Sequence, residues 1–271
     1  MNENKPLVSV IMSEFNTNEE LLVDSINSIL NQTYKNFEFI IIDDCGRNDL
    51  NEIINKIDDK RIKYYKNDKN MGLVYSLNKA IKMSNGKYIA RMDTDDYAYP
   101  DRLELEVDFL EKNKNIDIIS SRADFYDGKD IWGESKFFGK VDRKIILKGS
   151  PLIHPATMYK KTAIDKIGGY LNYYRCEDYA TWIELFINGY NFYVIENKTL
   201  RYHLCEDDYK KRTLKMRKEF FKMFKEQYIK LNPSRIEYYK MYIKNIVAGL
   251  IPGHFMFIYH KKKGKLINEN K

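Results

Sequence analysis

The pattern of polar and apolar positions changes period several times along this chain. LVSVIM (7–12) is a short apolar run with β-branched residues, bounded by polar ones, and reads as a buried strand. Over 19–31 the period lengthens, and Leu22, Ile26, Ile29 and Leu30 fall on one helical face. FEFIIIDD (37–44) reads as a second strand, followed by a polar helix near 48–57. RIKYYKN (61–67) is a third strand, LVYSLNKAIKM (73–83) a helix, YIARMD (88–93) a fourth strand, and Pro100 opens a helix over 101–112. Repeated strand–helix–strand units predict an α/β fold with a mostly parallel central sheet flanked by helices. Ligands bind such sheets beyond the C-terminal ends of the strands. Acidic residues gather there: Asp43 and Asp44 close the second strand, and Asp93, Asp95 and Asp96 follow the fourth.

From about 116 the order is less regular. Residues 116–127 and 156–161 look like strands, 177–190 like a helix with a glycine stop, and 191–196 like a closing strand. Residues 210–245 are basic and helical by periodicity. The apolar segment 246–259 is broken by Pro252, Gly253 and His254, and its 14 residues fall short of a membrane span, which takes about 20. It reads as an interfacial or packed segment, and the KKKGK run behind it (261–265) suits an anionic bilayer surface. The N-terminal MNENKPLVSVIM reads as a polar lead into a strand, not as a signal peptide.

Composition adds an asymmetry. With 44% hydrophobic and 31% charged residues, the 271-residue chain can bury a real core. Its net charge of +7 conceals a body and a tail of opposite sign. Residues 210–271 hold 17 Lys/Arg against 4 Asp/Glu, a net of +13, which leaves −6 for residues 1–209. The reading is a domain over 1–209 with a basic helical extension over 210–271 that meets something anionic, membrane phosphates before nucleic acid. Cys45, Cys176 and Cys205 are odd in number and form no CxxC pair, as expected of reduced cytosolic thiols.

The strongest chemical signal is RMDTDDYAYPDRL (91–103). Three carboxylates within four residues repel one another unless a cation or donors neutralise them. Oxygen-only ligation favours Mg²⁺ or Mn²⁺ over Zn²⁺. A solvated acidic loop is the alternative reading.

Six segments now carry a resemblance: VSVIMSEFN (8–16), FEFIIIDDCGRND (37–49), NMGLVYSLNKAI (70–81), GKYIARMDTDDYAYPDRL (86–103), HPATMYKKTAIDKIGGY (154–170) and CEDYATWIELF (176–186). In this order and spacing they resemble the family 2 glycosyltransferases of GT-A fold, over about residues 7–205. The resemblance implies an inverting transfer of a sugar from a nucleotide-sugar, a UDP-sugar foremost, to a saccharide or lipid-linked saccharide. It implies nucleotide-sugar binding by Ser13 (where many members have Pro), Glu14, Phe15, Asn16, Asp43 and Asp44, with Asn70 and Gly72 closing over the nucleotide. Asp95 becomes the metal ligand, and Asp93 and Asp96 contact ribose, donor sugar or metal-bound water. Arg91 either neutralises phosphate or pairs with these acids. His203 either binds phosphate or completes the metal shell. Asp178 becomes the general base, with Glu177 beside it and His154 on the acceptor side. The expected cofactor is Mn²⁺ or Mg²⁺. The expected location is cytoplasmic, peripheral at the inner face of the cell membrane, with no nucleic acid bound. Two rivals remain. A sugar nucleotidyltransferase would need a Gly-rich basic loop, whereas MSEFNTNEE (12–20) is acidic and lacks Gly. A nucleic-acid-binding protein would use the aromatics Phe220, Phe221, Phe224 and Tyr228 of the basic extension, although their helical spacing suits a buried face.

Overall fold

The computed structural model describes residues 5–210 and 214–268. Its first half follows the alternating pattern: β1 (Val8–Glu14), α1 (Glu19–Leu30), β2 (Phe37–Asp43), α2 (Leu50–Ile57), β3 (Ile62–Lys66), α3 (Leu73–Met83) and β4 (Tyr88–Arg91). Polar side chains mark the helix starts. Asn18 accepts from the Glu20 and Leu21 amides to cap α1, and Asp49 accepts from the Glu52 amide to cap α2. The second half holds β5 (Tyr97–Ala98), α4 (Arg102–Lys112), β6 (Ile118–Tyr126), β7 (Ile131–Glu134), β8 (Gly139–Val141) and α5 (Arg143–Ile146). A 3₁₀ turn (His154–Ala156) then leads to β9 (Thr157–Lys160), α6 (Lys161–Lys166), α7 (Glu177–Ile187) and β10 (Phe192–His203).

The strands form one sheet in the order β3-β2-β1-β4-β9-β6-β10-β5, with β7 beside β6 and β8 beside β10. The segment β3-β2-β1-β4 is parallel throughout, as the helical crossovers require. Beyond it the sheet is mixed, because β9 runs against both β4 and β6. β10 is twice as long as its apolar run suggests. Polar Glu196–Lys198 is no turn: the strand crosses register shifts there and continues to His203. Lys198 makes this possible by pairing with Asp124 at 2.5 Å and Glu134 at 3.3 Å.

Alternation within the strands splits the core in two. Val8, Val10 and Met12 of β1 and Phe39 and Ile41 of β2 join Leu22, Ile26, Leu103 and Leu110 on one face. Ile11, Ile40 and Ile42 join Leu77, Trp182 and Phe192 on the other. Every residue of β2 is buried, and burial of each large aliphatic side chain contributes about 1.5–3 kcal/mol.

Past the acidic α8 (Glu206–Lys210), the basic extension is built of α9 (Leu214–Glu226), a 3₁₀ turn (Tyr228–Leu231), α10 (Arg235–Leu250) and α11 (Gly253–Asn268). It is fastened to the body at two places. Met223, Phe224, Tyr228 and Leu231 enter the core beside Trp182, and the Tyr228 hydroxyl donates to the Leu147 carbonyl at 3.0 Å. On the other side Phe257 packs with Trp132 and Tyr209, and Lys261 pairs with Asp127. Among the described residues no single helix is long and apolar enough to cross a membrane; α10 and α11 meet at a 108° bend. Of the KKKGK run, the side chains of Lys263 and Lys265 lie outside the described residues.

Candidate functional site

The parallel strands deliver their acids to one edge of the sheet. At the ends of β1 and β2, Asn16 (φ 60°) and Cys45 (φ 59°) adopt left-handed backbone, a strained conformation that collects at functional sites. Gly46 is required between them, since a Cβ there would lie 2.7 Å from the Asn16 amide nitrogen. Glu14 Oε1 accepts from the Thr17 amide (3.1 Å) and from Asn48 (2.9 Å). Its Oε2 is buried without a partner, and burial raises its pKa. Asp43 accepts from the Cys45 amide and the Tyr64 hydroxyl, each at 2.9 Å, and lies 3.4 Å from Lys66 Nζ. Asp44 accepts from Asn67 (2.7 Å) and from the amides of Met71 and Gly72 (2.8 Å each). Both its oxygens are thus spent on shaping the 67–72 loop, so Asp44 would serve a nucleotide through that loop. Around this pair Ser13 is half-buried, while Phe15, Asn16 and Asn70 are exposed. Asn16 Oδ1 accepts from the Arg47 amide at 2.8 Å, and Gly72 (φ 86°) starts α3.

The β4 end is organised differently. Arg91 is buried and paired with Asp93, and its Nε and Nη1 have no hydrogen-bond partner. Of the two expected roles, the geometry displays its pairing with the acids. Arg102 clamps the strand end by donating to the Arg91 carbonyl (2.8 Å) while paired with Glu106 (3.0 Å). Ser25 donates to the Asp93 carbonyl at 2.7 Å. Carboxylate oxygens of Asp93, Asp95 and Asp96 lie within 4.8 Å of one another. Asp96 is 2% exposed: Oδ1 accepts from the His203 amide at 2.7 Å, and Oδ2 is buried with no partner. Burial first, then the neighbouring carboxylates, pushes the Asp96 pKa well up. Asp93 is raised by burial and held back by Arg91. His203 Nδ1 stands 3.5 Å from Asp95 Oδ2. A second group, His203, Cys205 and Asp208, also has potential ligand atoms within 4.8 Å. Asp208 accepts from the Cys205 amide at 3.0 Å, and its charge adds to the pressure on Asp93. Sequence reasoning missed Asp208; it sits in a polar EDD run beyond the last recognisable motif.

The third component is the start of α7, reached through Arg175 in left-handed backbone (φ 56°). Asp178 faces Ser150, whose Oγ lies 3.5 Å from Oδ2. Burial raises Asp178, opposed in part by Arg91. Burial and the Asp178 charge lift Glu177 to about 7. His154 Nε2 lies 3.0 Å from the Tyr170 hydroxyl, and its ring sits edge-on to Trp182. Burial, aided by Arg91, pushes the His154 pKa well below its usual value, so the imidazole is neutral. The Arg91 charge therefore acts on Asp93, Asp96, Glu177, Asp178 and His154 together. Tyr170 is clasped in turn: its amide donates to Asn78 Oδ1 (2.7 Å) and its carbonyl accepts from Asn78 Nδ2 (3.0 Å). A Cβ on the adjoining Gly169 would collide with Asn78 Oδ1.

Acids thus gather at the ends of β2 and β4 and at the start of α7, where Glu177 is buried and Asp178 half-buried, on a helix-flanked sheet of the GT-A type. Residues 9–168 match the family profile described as Glycosyl transferase family 2, and the chain belongs to that family. It is 38% identical over 212 residues to an uncharacterized glycosyltransferase of Methanocaldococcus jannaschii, covering 75% of this chain and 73% of that one. It is 32% identical over 279 residues to the UDP-Gal:alpha-D-GlcNAc-diphosphoundecaprenol beta-1,3-galactosyltransferase of Escherichia coli, covering 97% and 98%. Among solved structures, the mannosyltransferase PcManGT of Pyrobaculum calidifontis, in complex with GDP-Man and Mn²⁺, shares the fold with a TM-score of 0.65 at 14% identity, over 95% of this chain and 80% of that one. S. aureus TarS 1–349, in complex with UDP, gives 0.63 at 19% identity over 79% of this chain, which spans 65% of that longer one.

Proposed function

We propose that this glycosyltransferase moves a hexose from a UDP-sugar to a lipid-linked saccharide with inversion, using a divalent cation and Asp178 as general base. One observation carries the reading: three carboxylates converge within 4.8 Å, and the buried Asp96 Oδ2 has no partner. Buried carboxylates with a free lone pair fit a hard cation such as Mn²⁺ or Mg²⁺. Asp95 would hold it with Asp93, Asp96 and His203, and it would neutralise charge on the departing diphosphate. The E. coli relative's name supports the UDP-sugar and the lipid-linked acceptor, and the Mn²⁺ complex of PcManGT supports the metal.

The chain's own residues supply the rest. Phe15 offers an exposed ring at the β1 end, and the 70–72 loop covers the nucleotide. Asp43 Oδ1 has one donor, the Cys45 amide, and keeps a lone pair that can still accept from a base N–H. Asp178 removes the acceptor hydroxyl proton, and burial lifts its pKa toward neutrality, where a base works best. Glu177 and neutral His154 line the acceptor side. The reaction would take place at the cytoplasmic face of the membrane. Binding of nucleic acid is disfavoured by the burial of Phe224 and Tyr228, which removes their faces from base stacking.

The deciding experiment measures thermal stabilisation and hydrolysis with UDP-, GDP- and TDP-hexoses, before and after chelation. A UDP-sugar should act only with Mn²⁺ or Mg²⁺ present. Full activity of verified metal-free protein, or a preference for a GDP-sugar, overturns the corresponding part of the reading.

A further inference from the structure

α10 is apolar on two opposite faces. Met241 is buried on one, against the helices beneath it, with Tyr238 and Tyr242 packed on the same core. On the other, Ile236 (80% exposed), Tyr239, Ile243, Val247 and Leu250 (78% exposed) point outward at helical spacing. A helix with solvent on one side normally turns a polar face to it. Exposed apolar side chains continue along the chain through Ile251 at the elbow to Phe255, Ile258 and Tyr259 of α11. Exposed apolar surface on this scale marks an interaction site.

Charge identifies the occupant. Residues 235–268 hold seven Lys/Arg and one acid, Glu237, and that acid is engaged in the capping box with Ser234. Lys240 and Lys244 are exposed one turn apart along one border of the stripe, and Lys262 is exposed on α11. A second copy docked by its own stripe would set lysines against lysines. An anionic bilayer accepts both features, apolar side chains below the headgroups and lysines among them. α10 has 16 residues, about 24 Å of helix, and the 108° bend keeps α11 from extending it. By length and composition the bent pair also fits a broken span, but Met241 and Phe257 are buried against the rest of the chain, so one face of each helix is already occupied and the pair is read as lying in the interface. The body, net −6 over residues 1–209, is repelled by the same lipids, so the molecule stands on its extension.

We infer that the outward face of α10 and α11, from Ile236 through Leu250 to Tyr259, is a monotopic docking surface for anionic phospholipid. This rests on the lipid-linked acceptor reading above and gives it a location: the site is brought to its acceptor by this face.

Truncating the extension is no test, because Phe224 and Tyr228 belong to the core. The test is cosedimentation of the full chain with vesicles of equal parts phosphatidylglycerol and phosphatidylcholine, and with phosphatidylcholine alone. Wild type should bind the anionic vesicles and bind the neutral ones weakly. The triple substitution I236Q/I243Q/L250Q should weaken binding at least about ten-fold, since each buried aliphatic side chain contributes about 1.5–3 kcal/mol. K240E/K244E should weaken it several-fold, and added salt should mimic that pair. Circular dichroism and metal-dependent UDP-sugar hydrolysis should match wild type in both variants. Equal vesicle binding by wild type and the triple variant overturns the inference. So does sedimentation equilibrium showing a dimer that the triple substitution dissociates, which would give the face to a second copy. If no nucleotide-sugar is hydrolysed while vesicle binding behaves as expected, the proposed function fails and the surface stands.

Discussion

Two acidic clusters sit on the same edge of the sheet, one strand apart, and live in opposite circumstances. At the β2 end Asp43 and Asp44 receive donors from Cys45, Tyr64, Asn67, Met71 and Gly72. At the β4 end Asp93 has Arg91, Asp96 has one backbone amide, and Asp96 Oδ2 has nothing. A well-donated carboxylate spends its charge in holding a loop, Asp44 with both oxygens and Asp43 in part. Starved carboxylates store repulsion, which only an added cation or proton relieves. Clustering alone does not make an acidic site; the balance of donors does.

The contrast can be broken by substitution. The largest effect is expected at the proposed base beyond the starved cluster: Asp178→Asn should reduce transfer by about 10²–10⁴, with affinity for the proposed UDP-sugar within a few fold, as read by single-turnover kinetics and calorimetry. Equal loss of donor binding would move Asp178 into the nucleotide site. Asp95→Ala should cost about 10²–10³ in rate and abolish stabilisation by Mn²⁺. Yet the metal-free variant should melt no lower than wild type, because a repelling charge has gone. Asp44→Ala should do the opposite. It strips buried donors of their acceptor, costs about 2–4 kcal/mol in denaturant unfolding, and raises the donor KM more than it lowers kcat. If Asp44→Ala melted like wild type while Asp95→Ala unfolded, the distinction between the clusters would be wrong.

The smallest effect concerns Glu106, the buried partner of Arg102 under the β4 end. Burial lifts its carboxyl to about 7 despite Arg102. The folded protein therefore keeps a proton that the unfolded chain releases above about pH 4.5. This group's contribution to stability is complete below that pH and is lost as pH rises toward about 7. Unfolding curves of Glu106→Gln should lack this slope, so wild type should lose up to roughly 3 kcal/mol relative to the variant across the window. A parallel pair of stability–pH curves would refute it.

Much of this was legible in the residues, for definite reasons. Buried parallel strands are continuous apolar runs, so β1, β2 and β4 announced themselves, and the acids at their ends followed. The short β5, β7 and β8 carry too few residues for any period to show. β10 was read as ending at 196, where its apolar run gives way to polar residues, and only the cross-strand partners of Lys198 explain why it continues. The difference between Asp44 and Asp96 was invisible for the same reason. Their donors, Asn67, Met71, Gly72 and His203, come from far along the chain. The basic extension was read by its charge as a tail. Its aromatic face is the part that decides its fate, since Phe224 and Tyr228 make it a wall of the body.

The clasp between Asn78 and Tyr170 has a consequence for reading natural variation. α3 is a rod of 11 residues, about 16 Å long, with Gly72 at one end and Asn78 midway. Any side chain at Gly169 pushes on Asn78 and is also strained by the local φ of 98°. Carried along α3, that displacement would reach the loop that Asp44 holds. An allele carrying a larger residue at Gly169 would thus present as a defect in nucleotide-sugar affinity, although the altered residue lies beside Tyr170 and His154. Genotype surveys that sort variants by distance from the reacting groups would file it under the wrong half of the molecule.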